Sequence, residues 1–422
     1  MQSIDTLIVG AGISGLATAA ALDRDYLILE ADSAIGGYCK TTLRDGFVWD
    51  YSGHFFHFRH PEIGAWFRER MAGQRIFDIQ KRSFIAGPNY RIDFPFQKNI
   101  HQLPQADFIR CLHDLYFARQ EQPAQAPSTN FKAMLQQRYG AGISELFLIP
   151  YNEKLYACDL SSLDPNAMGR FFPHVELAEV IRNMRTPDNR SYNSTFTYPA
   201  GGAIEYVKAL ANEVRPTAIH LRRPLRALDL AQHVAHTDQG PIRYRHLVSS
   251  IPFNRLLQLA HVPHDPQIFS WNKVVVFNLG FDRKADRNVH WVYFPDPTTV
   301  FYRVGYYDNI LNSDRLSLYV EVGFDRAAQP DTAALQAQVL ADLKRNRVIS
   351  DHQLVASQCL TMDPAYVHIT EASIAAHARH SQTLAKHNVY SIGRYGSWTY
   401  CSIEDNVVQA RQTADHLNRF TS

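Results

Sequence analysis

The chain has 422 residues, 45% of them hydrophobic and 20% charged; this is ordinary globular composition and excludes the disordered class. With 43 Lys and Arg against 41 Asp and Glu the formal net charge is +2, so no broad field recruits nucleic acid or an anionic membrane, and a charged ligand has to be held by particular residues. The length exceeds what one core sustains, so two or three subdomains are expected.

The five cysteines, Cys39, Cys111, Cys158, Cys359 and Cys401, are scattered and form no CxxC or His–Cys cluster. They read as reduced thiols of a cytoplasmic protein, and no metal site is expected. The chain opens without a basic n-region and apolar h-region, so no signal peptide is expected. No apolar run is long enough to insert into a membrane. A homo-oligomer is left open.

In chain order, residues 4–9 (IDTLIV) predict a short buried strand. Gly10-Ala11-Gly12-Ile13-Ser14-Gly15 follows, then LATAAAL, a helix of small residues. Gly10 suits the tight turn, Gly12 lets the backbone approach a pyrophosphate, and Gly15 lets the helix pack close to the strand. The helix N-terminus, with Ser14 in its first turn, offers N–H groups to phosphates. A second strand, 26–29, ends at Glu30, twenty residues after Gly10 and placed to accept bonds from a ribose diol. Residues 101–185 are helical in pattern, with a Pro- and Gln-rich break at 121–129. Residues 186–200 lack periodicity and read as a mobile loop. A helix is predicted over 203–214, strands over 219–251 and a β-rich antiparallel stretch over 272–325. The tail, 389–420, reads as strand, glycine turn and helix.

Past Glu30, ADSAI leads to Gly36-Gly37. This resembles the second glycine pair of glutathione-reductase-like flavoproteins, the amine oxidase and protoporphyrinogen oxidase relatives included, and so implies FAD. Those families place an Arg just after the pair, where this chain has Tyr38-Cys39-Lys40. Six further segments, in order, resemble the UDP-galactopyranose mutase family, its eukaryotic-type branch above all. Asp50-Tyr51-Ser52-Gly53-His54 is similar to DxGGH, Phe94 to Ile100 (FPFQKNI) to YPFQxNI, and Pro150 to Lys154 to PYNxK. Asn193 to Gly202 is similar to NxxFx[FY]PxxGG. His290 to Pro295 precedes Phe301-Tyr302-Arg303 with the family's spacing, and Gly393 to Tyr400 is close to GRxGxWxY.

The resemblance implies an α/β fold: a Rossmann-like FAD-binding domain with a helical insertion and an antiparallel β-sheet domain. FAD-binding segments are expected at 1–80, 191–250 and 351–422, a sheet segment at 81–100, a helical substrate or lid domain at 101–190 and an antiparallel substrate sheet at 251–350. It implies that Arg303 bridges the substrate diphosphate and the sugar site, that Tyr366 and Tyr400 bond the diphosphate, and that Tyr293 and Asn193 face the sugar or phosphates. Gln97 and Asn152 would contact the nucleotide end, with Phe94, Tyr156 and Trp291 also on the substrate. His54 would lie near the flavin N5. Gly10, Gly12, Ser14, Gly15, Glu30, Gly37, Ser52, Gly53 and Arg394 would hold FAD. The implied reaction is pyranose–furanose interconversion of a nucleotide-diphosphate sugar through an adduct of the sugar on reduced flavin N5, with NADPH or NADH as reductant. His54 would tune the flavin or pass protons at neutral pH.

Plainer readings stand beside these. Arg303 in a β-rich run is also what a solvated strand face looks like, the tyrosines what core aromatics look like, and Asn152 and Asn193 what turn residues look like. Glu153 and Lys154 read as surface charges. Phe94, Tyr156 and Ser52 depart from the family's Tyr, Trp and Gly, which points to altered substrate specificity. The rival class is a flavin oxidase or desaturase of the amine oxidase or protoporphyrinogen oxidase type, and a third is a non-catalytic flavin binder.

Overall fold

The computed structural model describes residues 1–121, 126–191 and 194–420; Asn193 lies outside them. The first sheet grows from the glycine-rich start. Gln2–Val9 lies between Tyr26–Leu29 and Gly240–Ser249, parallel to both. Ile219–His220 extends it beyond Tyr26–Leu29. On the other side, the N-terminal half of Gly240–Ser249 pairs with Val234–Thr237 and its C-terminal half with Val389–Ser391. Alternation sorts the strand side chains: Leu7, Val9, Leu27 and Leu29 enter one core, Ile8 and Ile28 the other. Helices Ile13–Ala21 and Ile403–Asn418 cover the second face, Phe253–Leu259 and Glu371–Ala385 the first. Gly15 makes the helix-to-strand approach possible, because a Cβ there would sit 1.9 Å from the Gly10 carbonyl oxygen.

The second sheet runs in the order Leu354–Met362, Asn272–Phe281, Ser317–Asp325, Arg303–Tyr306, Trp291–Tyr293, Ser83–Ala86, Arg91–Asp93. It is antiparallel except where Trp291–Tyr293 runs parallel to Ser83–Ala86. Asn272–Phe281 is buried on both faces, Val275, Phe277 and Leu279 against helix Thr332–Arg345, and Val274 and Val276 toward the central core. That central core also takes in helices Gln105–Glu121, Phe131–Ile143, Ile149–Tyr156 and Leu177–Arg185.

Two sequence expectations change. The helix predicted over 203–214 spans Ile204–Ala211. The stretch 186–200 is not all loop, because Thr195–Pro199 pairs with Ile76–Gln80. Its pattern hides the strand: Phe196 packs on Phe55 at 4.6 Å, Tyr198 is fully buried, and Thr197 on the opposite face bonds Tyr206. Both faces are covered, so no polar–apolar alternation survives. Among the described residues, no helix is long and apolar enough to cross a membrane, and no cluster of His, Cys, Asp and Glu could hold a metal ion.

Candidate active site

The carboxyl ends of the first-sheet strands open onto a cavity of about 490 Å³. Gly10, Gly12, Ser14, Glu30 and Gly37 line it from that side. Glu30 is fixed by the turn it faces: one oxygen accepts the Ala11 N–H at 2.7 Å, the other the Asp32 N–H at 2.8 Å. Lys40 pairs with Asp32 and is not among the lining residues.

The hairpin Thr41–Arg44 to Phe47–Asp50 turns through Asp45-Gly46, both with positive φ (51° and 81°), as a two-residue type I′ turn requires. It delivers Asp50 into the interior, fully buried. Thr41 and Tyr198 hydroxyls and the Ala203 N–H donate to that carboxyl, yet burial pushes it up to about 7. Ser52, Gly53 and His54, just beyond, line the cavity. Gly53 has to be glycine here, since a Cβ would lie 2.6 Å from the Tyr319 hydroxyl. Burial, helped by the Arg394 charge, lowers His54 to about 4. Its imidazole is therefore neutral at pH 7.

The second sheet supplies the opposite wall. Its register sets Tyr293, Arg303 and Glu321 in one cross-strand row and Trp291, Gly305 and Tyr319 in the next. Directly opposed residues share a face, and Trp291, Arg303 and Tyr319 line the cavity. Arg303 is not a solvated strand charge. Its Nε and Nη2 bond the two oxygens of Glu321, Nη2 at 2.8 Å, and the Ser52 hydroxyl bonds the same carboxylate. The Glu321 side chain is 1% exposed. Its signal in the sequence is a lone carboxylate in the otherwise uncharged run LSLYVEVGF.

The tail closes the site. Arg394 lies over Tyr366 and Tyr400, its guanidinium carbon 5.1 and 4.6 Å from their ring centroids, and the two rings stack at 5.9 Å. Among the described residues, no carboxylate pairs with Arg394 and its buried Nε has no hydrogen-bond partner. Asn406, which also lines the cavity, accepts both the Ser14 hydroxyl (3.2 Å) and the Arg394 N–H (2.8 Å). It bolts the tail to the first helix and was not singled out from sequence.

Five expected substrate residues do not line the cavity. Phe94 stacks on Tyr293 at 5.0 Å, and Tyr293 accepts the Trp291 indole N–H at 2.7 Å. Gln97 donates to the Pro173 carbonyl (3.1 Å) and Asn152 to Leu148 (2.6 Å), while Tyr156 lies behind Tyr366. Gly15 also stays off the cavity, in its packing role. Lys154 is not a surface charge: its ammonium, with three N–H donors, sits among the carbonyls of Phe294, Asp296, Thr299 and Phe301 at 2.6–2.9 Å. These lie on the segment between the Tyr293 and Arg303 strands.

The donor set fits FAD: a bare glycine floor, a helix N-terminus, a fixed carboxylate at the ribose position and an unpaired guanidinium. The sequence profile of the flavin containing amine oxidoreductases matches residues 13–418. All-trans-retinol 13,14-reductase of Rattus norvegicus is 29% identical over 106 residues, which cover 22% of this chain and 17% of that protein. The chain thus spans under a fifth of the length of that curated relative. Of solved structures, reduced UDP-galactopyranose mutase superposes with a TM-score of 0.90 at 23% identity, covering 99% of this chain and 94% of the other. A protein from Exiguobacterium sp. 255-15 assigned as a protoporphyrinogen oxidase superposes at 0.79 and 17%, covering 99% and 98%.

Proposed function

We propose that this chain, which belongs to the flavin-containing amine oxidoreductase family and binds FAD, is a mutase that interconverts the pyranose and furanose forms of a nucleotide-diphosphate sugar. The observation that carries this reading is the convergence of Arg303, Tyr366 and Tyr400 on the cavity that the glycine cradle opens. When bound and reduced, by NADPH or NADH, FAD supplies a nucleophilic ring nitrogen. The chain's own part is to hold the ends of the substrate. Tyrosine hydroxyls and the guanidinium of Arg303 donate to a diphosphate without adding much net charge. His54, neutral, presents a hydrogen-bonding edge beside Ser52 and Gly53, and Trp291, Phe55 and Tyr319 line the cavity with aromatic surface.

The reading gains support at the nucleotide end from buried polar atoms. Gln97 Oε1, Asn152 Oδ1 and the Tyr156 hydroxyl each lack a hydrogen-bond partner among the described residues, and a buried polar atom left so is costly. A nucleoside whose binding reached these buried groups would supply the missing partners. In the proposed division of labour, 1–80, 191–250 and 351–422 bind FAD, 101–190 forms the lid, and 251–350 with the 81–100 segment forms the substrate wall.

The deciding experiment incubates the holoprotein, reduced with dithionite, with a panel of nucleotide sugars and follows ring form by NMR. No interconversion with any of them would sink the mutase reading. A second reading, a flavin oxidase or desaturase, is favoured by one observation: Glu321 already occupies Arg303, which leaves the substrate wall neutral. It predicts turnover of an uncharged substrate with oxygen consumption and no prior reduction.

A further inference from the structure

A carboxylate as buried as Glu321 is costly unless its lone pairs are filled. Two residues fill them. Arg303 comes from the neighbouring strand, directly opposite in register. Ser52 comes from the loop after Asp50, 269 residues away in sequence. Glu321 Oε2 takes the Arg303 Nε, and Oε1 is shared by Arg303 Nη2 and the Ser52 hydroxyl. Ser52 itself is held independently of that hydroxyl, since its carbonyl accepts the Tyr307 hydroxyl (3.1 Å) and the His54 N–H (2.9 Å). The hydroxyl is therefore a donor at a fixed place. A bidentate carboxylate–guanidinium pair is planar, so whatever fixes the carboxylate plane also fixes the guanidinium. Arg303 Nη1 has no hydrogen-bond partner among the described residues, and Arg303 lines the cavity. The motif that this loop resembles carries glycine at the position of Ser52, and glycine has no such donor.

We propose that Ser52 is a positioning residue: through Glu321 its hydroxyl orients Arg303 so that Nη1 is presented to an anionic group of the substrate. It thereby couples the loop at the flavin edge to the opposite wall. The anionic substrate group rests on the mutase reading, whereas the orientation of Arg303 does not, so the test reads both. Phenylglyoxal modifies exposed guanidinium groups, and its rate at Arg303 is followed in the FAD-loaded protein by peptide mass mapping. Ser52→Ala is expected to speed modification at least fivefold, because the clamp loosens, and Ser52→Thr to keep the wild-type rate. Added to Glu321→Gln, Ser52→Ala should change nothing further. In parallel, Ser52→Ala should bind pyrophosphate about tenfold more weakly than wild type. An unchanged modification rate in Ser52→Ala, or a full Ser52→Ala effect persisting on the Glu321→Gln background, overturns the proposal. If the wild type binds no pyrophosphate while the modification rates differ as stated, the mutase reading falls and the positioning role stands.

Discussion

At each wall of the cavity one arginine and one buried carboxyl stand close by, combined differently, and the cradle adds Glu30 on the lining itself. On the second sheet, Arg303 and Glu321 neutralise one another. On the cradle side, among the described residues, the Arg394 guanidinium meets tyrosine rings and the Cys401 carbonyl, with no carboxylate paired to it. Asp50, fully buried on that side, has three hydrogen-bond donors and, among the described residues, no cation. The cradle wall therefore offers a guanidinium that, among the described residues, no carboxylate pairs with, alongside the Glu30 carboxylate, and the sheet wall offers shape and directed donors. An anion feels an unpaired charge at a distance and a neutralised pair only on contact.

The largest effect should come from the segment that carries the sheet wall. The Lys154 ammonium sits among four backbone carbonyls of the turn before Arg303, one of which, Asp296, also takes the Thr299 N–H. Lys154→Met strands the other three, and at roughly 1–3 kcal/mol per unsatisfied buried group the loss should be about 3–9 kcal/mol. Urea unfolding of the holoprotein checks this; a loss below about 1 kcal/mol would mean the turn holds itself. Next comes the cradle. Arg394→Gln removes the unpaired charge, and FAD affinity, measured by reconstitution of apoprotein, should fall about 30-fold, or about 2 kcal/mol. Equal affinity would show that the cradle's charge is not spent on the cofactor.

Glu321→Gln sharpens the contrast by leaving the Arg303 charge unpaired as well. Its pyrophosphate affinity should stay within about threefold of wild type at low salt, where the unmasked charge offsets the loss of the clamp that places Arg303, and should fall about tenfold below wild type, worth about 1.4 kcal/mol, in high salt, where the charge is screened. Affinity unchanged in high salt as well would mean that Arg303 needs no partner for its placement.

The same contrast explains what the sequence made legible. Gly10, Gly12, Glu30 and Gly37 act through backbone geometry encoded within forty residues, and all four line the cavity. Tyr366 also arrives there. Gln97 and Asn152 are different: whether an amide faces a ligand or a backbone carbonyl depends on how distant helices pack, and here each turns to a carbonyl. Lys154 was unreadable for the same reason, since its acceptors lie 140 residues or more away. Thr195–Pro199 was hidden because its partner strand is remote and both its faces are covered. Glu321 left a visible mark, a charge in an apolar strand, but only the register reveals that the charge answers Arg303.

The smallest effect tests the cradle's own carboxyl. Asp50 is raised to about 7 by burial, against about 3.9 in an unfolded chain. The folded state thus binds this proton more tightly than the unfolded state. Its contribution to stability is complete below about pH 4 and is lost as pH rises through about 7. Between pH 6.5 and 8 that loss is roughly 1 kcal/mol. His54 works in the opposite sense, since its lowered value favours the folded state above about pH 6.5 and loses that as pH falls through about 4. The wild-type curve alone therefore mixes the two. Comparing it with Asp50→Asn cancels His54 and every other common group. The difference in unfolding free energy between variant and wild type should shift by about 1 kcal/mol in favour of the variant from pH 6.5 to pH 8. A constant difference would mean that Asp50 stays ionised, held by the Thr41, Tyr198 and Ala203 donors alone. In that case both walls would carry a buried anion, and only the sheet wall would have answered it with a cation.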